Sequence, residues 1–157
     1  QHDKSLQWES MPSMSNWFMQ TYKEIRKHSQ RPILLRPHPR CRLPNIELGL
    51  EKVYRQEPRK LTGTYDDFDM KFDNIWATIS WSSNPGIHSI INGVPAFVSN
   101  SSLAYPVAND IDFLHDIEDP HMGGRQAWLN DYAHTEYTVD EIAKGIPLTN
   151  LLDQITS

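Results

Sequence analysis

Two short stretches of this chain carry residue types able to grip an anion. In Arg36-Pro37-His38-Pro39-Arg40, two guanidinium groups flank an imidazole, and a proline stands on either side of the histidine. Arginine offers planar donors that match phosphate oxygens, and histidine donates or accepts near neutral pH. The prolines leave the segment little conformational entropy to lose on binding. The second stretch, Ser82-Ser83-Asn84-Pro85-Gly86, reads as a helix start: capping hydroxyls, a proline suited to the first turn, and a small residue. A helix N-terminus presents N–H groups and a partial positive charge, so it suits a phosphate or carboxylate. The candidate binding residues are therefore Arg36, His38, Arg40, Ser82, Ser83, Asn84 and Gly86, with His88 projecting from the helix that follows. The plainer alternative is that Ser82 or Ser83 merely caps the helix.

Both stretches need elements to hold them. Ile75 to Ser80 is rich in β-branched and aromatic residues and predicts a buried strand. Ile87, Ile90 and Ile91 share a helical face, Gly93 suits the position just past a helix, and Val94 to Val98 predicts a second strand. Strand, helix and strand make a βαβ unit, which demands a parallel sheet. Ile33-Leu34-Leu35 predicts another short strand, ending directly in Arg36. If it runs parallel to the first, both stretches lie on one sheet edge, where open α/β sheets bind ligands. Trp81, at a strand end, is placed to touch a base or sugar.

Elsewhere, a helix is expected from about Ser13 or Ser15 to Ser29, its last turns loaded with Lys23, Arg26, Lys27 and His28. A helical turn or two is expected within 46–56, a short strand near Arg59 to Thr62, and a short helix over Tyr65 to Asn74. On that helix, Asp66, Asp67 and Asp69 read as a solvated N-terminus rather than as catalytic carboxylates. Residues 100–109 read as loop and 110–115 as one helical turn, with His115, His121 and His134 in solvated or supporting places. The tail predicts outer helices at Gly124 to Ala133, after a Thr138-x-x-Glu141 capping box, and at Leu148 to Ile155. Arg125 either reaches a phosphate or pairs with the acidic tail.

At 157 residues the chain is long enough for one core, so a single Rossmann-like domain over 1–157 is expected. No apolar run approaches a membrane span. The polar Gln1-His2-Asp3-Lys4 is followed by no apolar leader, so a cytoplasmic location is expected. The lone Cys41 excludes an internal disulfide, and no histidine pair has metal-ligand spacing, so no metal site is expected. The net charge of -5 is divided unevenly: residues 1–60 carry +6 and residues 61–157 carry -11. A basic segment on an acidic chain points to a local anionic ligand, or to attraction between the two halves. The acidic half and the lack of interleaved basic and aromatic residues argue against a plain nucleic-acid binder.

The order R-P-H-P-R after one strand, then S-S-N-P-G-I-H-S-I-I-N-G-V-P-A-F-V, resembles the C-terminal domain of GT-B glycosyltransferases. The likeness extends to capsule-polysaccharide, sialyl and Kdo-type transferases and to bacteriophage glycosyltransferases. It implies an α/β, Rossmann-like open parallel sheet with helices on both faces and a helical C-terminal tail. It also implies a UDP- or CMP-sugar donor held by His38 with Pro39 and by Ser82 with Ser83, while Gly93 and Pro95 match the family's G-x-P. Where many relatives carry an acidic residue, this chain has His88. The activity implied is metal-independent transfer of the sugar to a hydroxyl acceptor, a glycan or a modified base in phage DNA. A phage-encoded chain would act in the host cytoplasm. The resemblance covers only the donor-binding half, which implies a missing N-terminal domain and leaves the catalytic base unassigned. The competing expectation is a non-catalytic nucleotide- or anion-binding, or protein-interaction, module.

Overall fold

The computed structural model describes residues 14–37, 49–57, 59–60, 66–67 and 71–156. The chain divides into two compact units, the first ending at His121 and the second running from Met122 to Ser157.

The first unit is α/β and its longer ladders are parallel. Helix α1 (Met14–His28) leads into strand β1 (Ile33–Leu35), which pairs parallel with β2 (Val53–Arg55), Ile33 opposite Val53 and Leu35 opposite Arg55. Strands β3 (Arg59–Lys60) and β4 (Asp66–Asp67) form a small antiparallel pair. Then come β5 (Thr78–Ile79), α2 (Asn84–Ile91), β6 (Ala96–Val98) and β7 (Asn109–Asp110), whose strands make a three-stranded parallel sheet in the order β5-β6-β7. Strand, helix and parallel strand are thus the βαβ unit expected between Ile75 and Ser99, although only Thr78 and Ile79 of the first strand enter the ladder.

Strand β6 is the centre of this sheet and is buried throughout, as a strand covered on both faces must be. Successive side chains of a strand point to opposite faces. On one face Phe97 clusters with Ile25 of α1 and with Leu114 and Ile117, and Ile33, Ala77 and Ile79 pack against that cluster. On the other face Val98 lies beneath Gly86 of α2. Helices therefore cover both faces at β6. Helix α2 buries Gly86, Ile87, Ser89 and Ile90, and the Ser89 hydroxyl donates to the Val94 carbonyl at 3.0 Å. Gly93, at φ +77, ends the helix in the left-handed conformation that glycine adopts most readily.

The start of β1 is held by a cross-element clasp. The Arg31 guanidinium stacks 3.8 Å from the Trp76 ring centroid and donates from Nε to both carboxylate oxygens of Glu118 at 3.1 Å. Trp76 Nε1 in turn donates to the Ile117 carbonyl at 2.7 Å.

Three expectations are corrected. Asn109 and Asp110, expected to end a loop and to start a helical turn, form β7 because Phe97 and Val98 offer them a parallel partner. The helical turns expected within 46–56 are replaced, among the described residues, by a turn at Glu51–Lys52 and by β2. Lys52 adopts φ +55, which ends any helix there, and Val53 and Tyr54 find a strand partner in β1. The helix expected over 65–74 gives way at Asp66–Asp67 to β4, paired with β3, and Asn74 turns at φ +61. The reading of Asp66 and Asp67 as a helix N-terminus falls with it. A partner six or more residues away overrides the local pattern.

The second unit is helical. Helix α3 (Arg125–Ala133) starts after Gly124 at φ +73 and stacks Trp128 on Tyr132, with ring centroids 5.0 Å apart. Helix α4 (Val139–Ala143) opens with the expected capping box: Glu141 N–H donates to Thr138 Oγ1 at 3.2 Å, and Thr138 N–H donates to Glu141 Oε2 at 2.8 Å. Gly145, at φ +73, turns the chain into α5 (Ile146–Thr156), which packs on α4. No helix among the described residues is long and apolar enough to cross a membrane.

Candidate functional site

The loop between β5 and α2 is built by a close approach of backbone to sheet. A Cβ on Gly86 would lie 3.0 Å from Ser80 Oγ and 3.0 Å from Val98 Cγ1, so only glycine lets α2 sit this near β5 and β6. The Ser80 side chain beneath it is 8% exposed, and its hydroxyl has no hydrogen-bond partner in the protein. Buried hydroxyls are ordinarily paired, and this one, enclosed beneath the helix's first turn, departs from that rule.

Above it the first turn of α2 faces outward. Ser82, Ser83, Asn84 and Pro85 are exposed. Ser83 occupies the N-cap position in extended conformation, but its hydroxyl makes no capping bond. Its carbonyl instead accepts from Gly86 N–H at 3.0 Å. The cap is thus Ser83 by position, not by its side chain. Pro85 has no N–H, so this turn offers the Asn84 N–H, the Ser82 and Ser83 hydroxyls and the Asn84 amide as donors around the positive end of the helix. His88 is exposed four residues beyond Asn84, on the outward stripe that also carries Ile91. Its carbonyl accepts from Asn92 Nδ2 at 2.7 Å.

A second loop, expected after Ser99 but not at this place, is tied to the first. Ser99, directly after β6, donates from both N–H and Oγ to the Trp81 carbonyl, each at 2.9 Å. The same hydroxyl lies 2.6 Å from Ser101 Oγ. The carboxyl ends of β5 and β6 are therefore tied together, and Asn100 and Ser101, just past the tie, are exposed. Further along this edge Tyr105 Oη donates to Asp110 Oδ2 at 2.9 Å, and the Asp110 carboxylate pushes the phenol above its usual value of 10. Asp110 Oδ1 also accepts from Asp112 N–H. The signal for the second loop was Val98-Ser99-Asn100-Ser101-Ser102, a polar run breaking directly from a buried strand, which reads as an ordinary loop until the β5–β6 pairing is known.

The arginine stretch is only partly described. Arg36 is half-buried at the end of β1 and donates from Nε to Gln56 Oε1 at 2.7 Å, joining the ends of β1 and β2. Pro37 is buried. His38 and Arg40 lie outside the described residues. Among the described residues the β1–β2 pair and the β5-β6-β7 sheet are separate hydrogen-bonded ladders. Trp81 is half-buried between Ser80 and Ser82, and Arg125 is the first residue of α3 in the other unit.

The remaining histidines include one pairing the sequence did not suggest: the rings of His28 and His115 lie 6.3 Å apart, and His115 packs edge-on to Phe113 at 5.6 Å. Each sits by a carboxylate, His28 by Glu24 at 3.3 Å and His115 by Asp116 at 3.5 Å. Among the described residues no group of three or more histidine, cysteine, aspartate or glutamate side chains is arranged to hold a metal ion.

No family model, curated protein or solved structure matches the chain.

Proposed function

We propose that this chain is the donor-binding half of a glycosyltransferase, holding the phosphate of a nucleotide sugar at the first turn of α2. What supports the reading is one local arrangement. Gly86 draws α2 against Ser80 and Val98, and the exposed Ser83 hydroxyl at the N-cap is not spent on capping. A phosphate oxygen at this turn meets the positive end of the helix and several neutral donors without a metal.

In the reaction so assigned, the bond between the anomeric carbon and the phosphate oxygen breaks and a bond to the acceptor oxygen forms. The acceptor proton leaves to a base that this chain does not identify. The leaving phosphate gains charge as the bond breaks, and the α2 turn with Ser82, Ser83 and Asn84 stabilises that charge. Arg36, and His38 and Arg40 beyond it, are the cationic groups assigned to the same donor. The sugar acceptor is a hydroxyl, on a glycan or on a modified base in DNA.

Calorimetric titration of the chain with UDP, CMP and UDP-glucose tests this. Binding is expected for at least one of the three, weakened about tenfold by Ser83→Ala through loss of one hydrogen bond, with circular dichroism unchanged. Arg36→Ala or His38→Ala is expected to abolish it. Absence of heat with all three ligands, or affinity indifferent to these substitutions, overturns the proposal. Release of glucose from UDP-glucose separates a transferase half from a module that only binds.

A further inference from the structure

At the carboxyl ends of β5 and β6 one buried hydroxyl does more than the sheet requires. Ser80 N–H donates to the Phe97 carbonyl at 3.0 Å and Ser99 N–H to the Trp81 carbonyl at 2.9 Å, which continues the ladder between these strands. The Ser99 hydroxyl then adds a second donor to the same Trp81 carbonyl, also at 2.9 Å. A hydroxyl carries one proton and two lone pairs. With its proton on Trp81, Ser99 Oγ accepts from Ser101 Oγ, 2.6 Å away, and again from Ser101 N–H at 3.4 Å. Its whole hydrogen-bonding capacity is thus spent on two loops, and Ser99 is buried, so water does not compete for it. A hydroxyl that accepts while it donates is polarised, and each bond in such a chain strengthens the next.

We propose that Ser99 is a positioning residue for the first turn of α2. The peptide between Trp81 and Ser82 is where the chain leaves β5. Held by the ladder bond alone, that peptide plane pivots about one contact. Held by two donors it is fixed, and with it the direction in which Ser82 and Ser83 depart. The Ser83 carbonyl accepts from Gly86 N–H at 3.0 Å, so the same direction sets the turn. The consequence for a ligand rests on the assignment of this turn to the donor phosphate: a turn held in place beforehand has less conformational freedom to lose on binding. Ser99 itself acts through Trp81 and touches no ligand. Ser99→Ala leaves the ladder whole and the Trp81 carbonyl still paired, while the exposed Ser101 hydroxyl turns to water. The loss is one net hydrogen bond, and the fold survives it.

Amide hydrogen exchange, followed by NMR on the 157-residue chain, tests this without any ligand. Ser99→Ala should speed exchange of the Gly86 amide about fivefold, the equilibrium equivalent of one net hydrogen bond. The Gly93 amide, which donates to the Ile90 carbonyl at the far end of α2, should keep its rate. Ser99→Thr retains the hydroxyl and should return Gly86 to the parent rate. Ser102→Ala removes another buried hydroxyl of the same loop, one that accepts from Ala104 N–H at 3.3 Å, and should leave Gly86 unchanged. An unaltered Gly86 rate in Ser99→Ala, equal acceleration at Gly86 and Gly93, or the same effect from Ser102→Ala each overturns the proposal. So does a Ser99→Thr chain that melts with the parent yet exchanges Gly86 as fast as Ser99→Ala. In calorimetric titration, whichever of UDP, CMP and UDP-glucose binds the parent should bind Ser99→Ala about fivefold more weakly and Ser99→Thr as tightly as the parent. Equal affinity in Ser99→Ala refutes the step from turn to ligand. Heat with none of the three overturns the donor assignment itself, and the exchange rates still decide whether Ser99 fixes the turn.

Discussion

Gly86→Ala isolates the contact on which the candidate site rests. The added methyl would stand 3.0 Å from Val98 Cγ1 and from Ser80 Oγ. Carbon atoms pack best at about 3.5–4.0 Å, so the methyl intrudes on Val98 by about 0.5–1 Å. Val98 is fully buried and lies in β6, which is paired on both edges, so neither strand nor side chain has room to withdraw. Overfilling a packed site by one methyl costs about 1–3 kcal/mol. Alanine returns up to about 1 kcal/mol through its better helix propensity. The net expectation is destabilisation by about 1 kcal/mol, read as a lower urea midpoint at unchanged slope. Val98→Ala removes the Cγ1 that is struck. In its background only the contact with Ser80 Oγ remains, so Gly86→Ala should cost less than in the parent, giving a coupling energy of about 1 kcal/mol. A Gly86→Ala chain as stable as the parent, or two substitutions that simply add, would refute the argument that α2 is drawn in by the missing Cβ.

Two further outcomes follow from the clasp at the start of β1. Trp76→Ala removes both the surface under Arg31 and the donor to the Ile117 carbonyl, and should lower stability by about 2 kcal/mol; Trp76→Phe keeps a ring and should lower it by about half that, measured by urea unfolding. The Glu118 carboxyl is held below the usual glutamate value of 4.5, first by the Ser29 hydroxyl and then by Arg31. A carboxyl depressed in the folded state contributes stability above its unfolded pKa and loses it as pH falls through the folded value. Glu118→Gln should therefore destabilise the chain at neutral pH and converge with the parent in acid; a difference that persists unchanged below the folded value would count against the pairing.

What could be read directly from residue order was local. The extent of α1, the three residues of β1, the capping box at Thr138 and the glycine stops at Gly93 and Gly145 all follow from nearest-neighbour chemistry: caps, propensity and left-handed turns. The βαβ unit was legible for the same reason, because its strand, helix and strand are contiguous and its connection admits only a parallel pairing. The readings corrected at 49–56, 66–67 and 109–110 are those whose structure is chosen by a distant partner. Strands β2 and β4 lack the apolar run that marks β1, and they exist because β1 and β3 offer them hydrogen bonds.

The candidate site divides along the same line. That Ser82, Ser83, Asn84 and Gly86 open a helix was written in their types. That the Ser83 hydroxyl stands clear of its own cap, that Ser80 is buried beneath Gly86 without a partner, and that Ser99 reaches back to the Trp81 carbonyl were decided by packing. Backbone chemistry acts over three or four residues and leaves its mark on the order of amino acids. The distance between a helix and the sheet beneath it depends on side chains that meet only when the chain is folded, and no run of neighbouring residues records it.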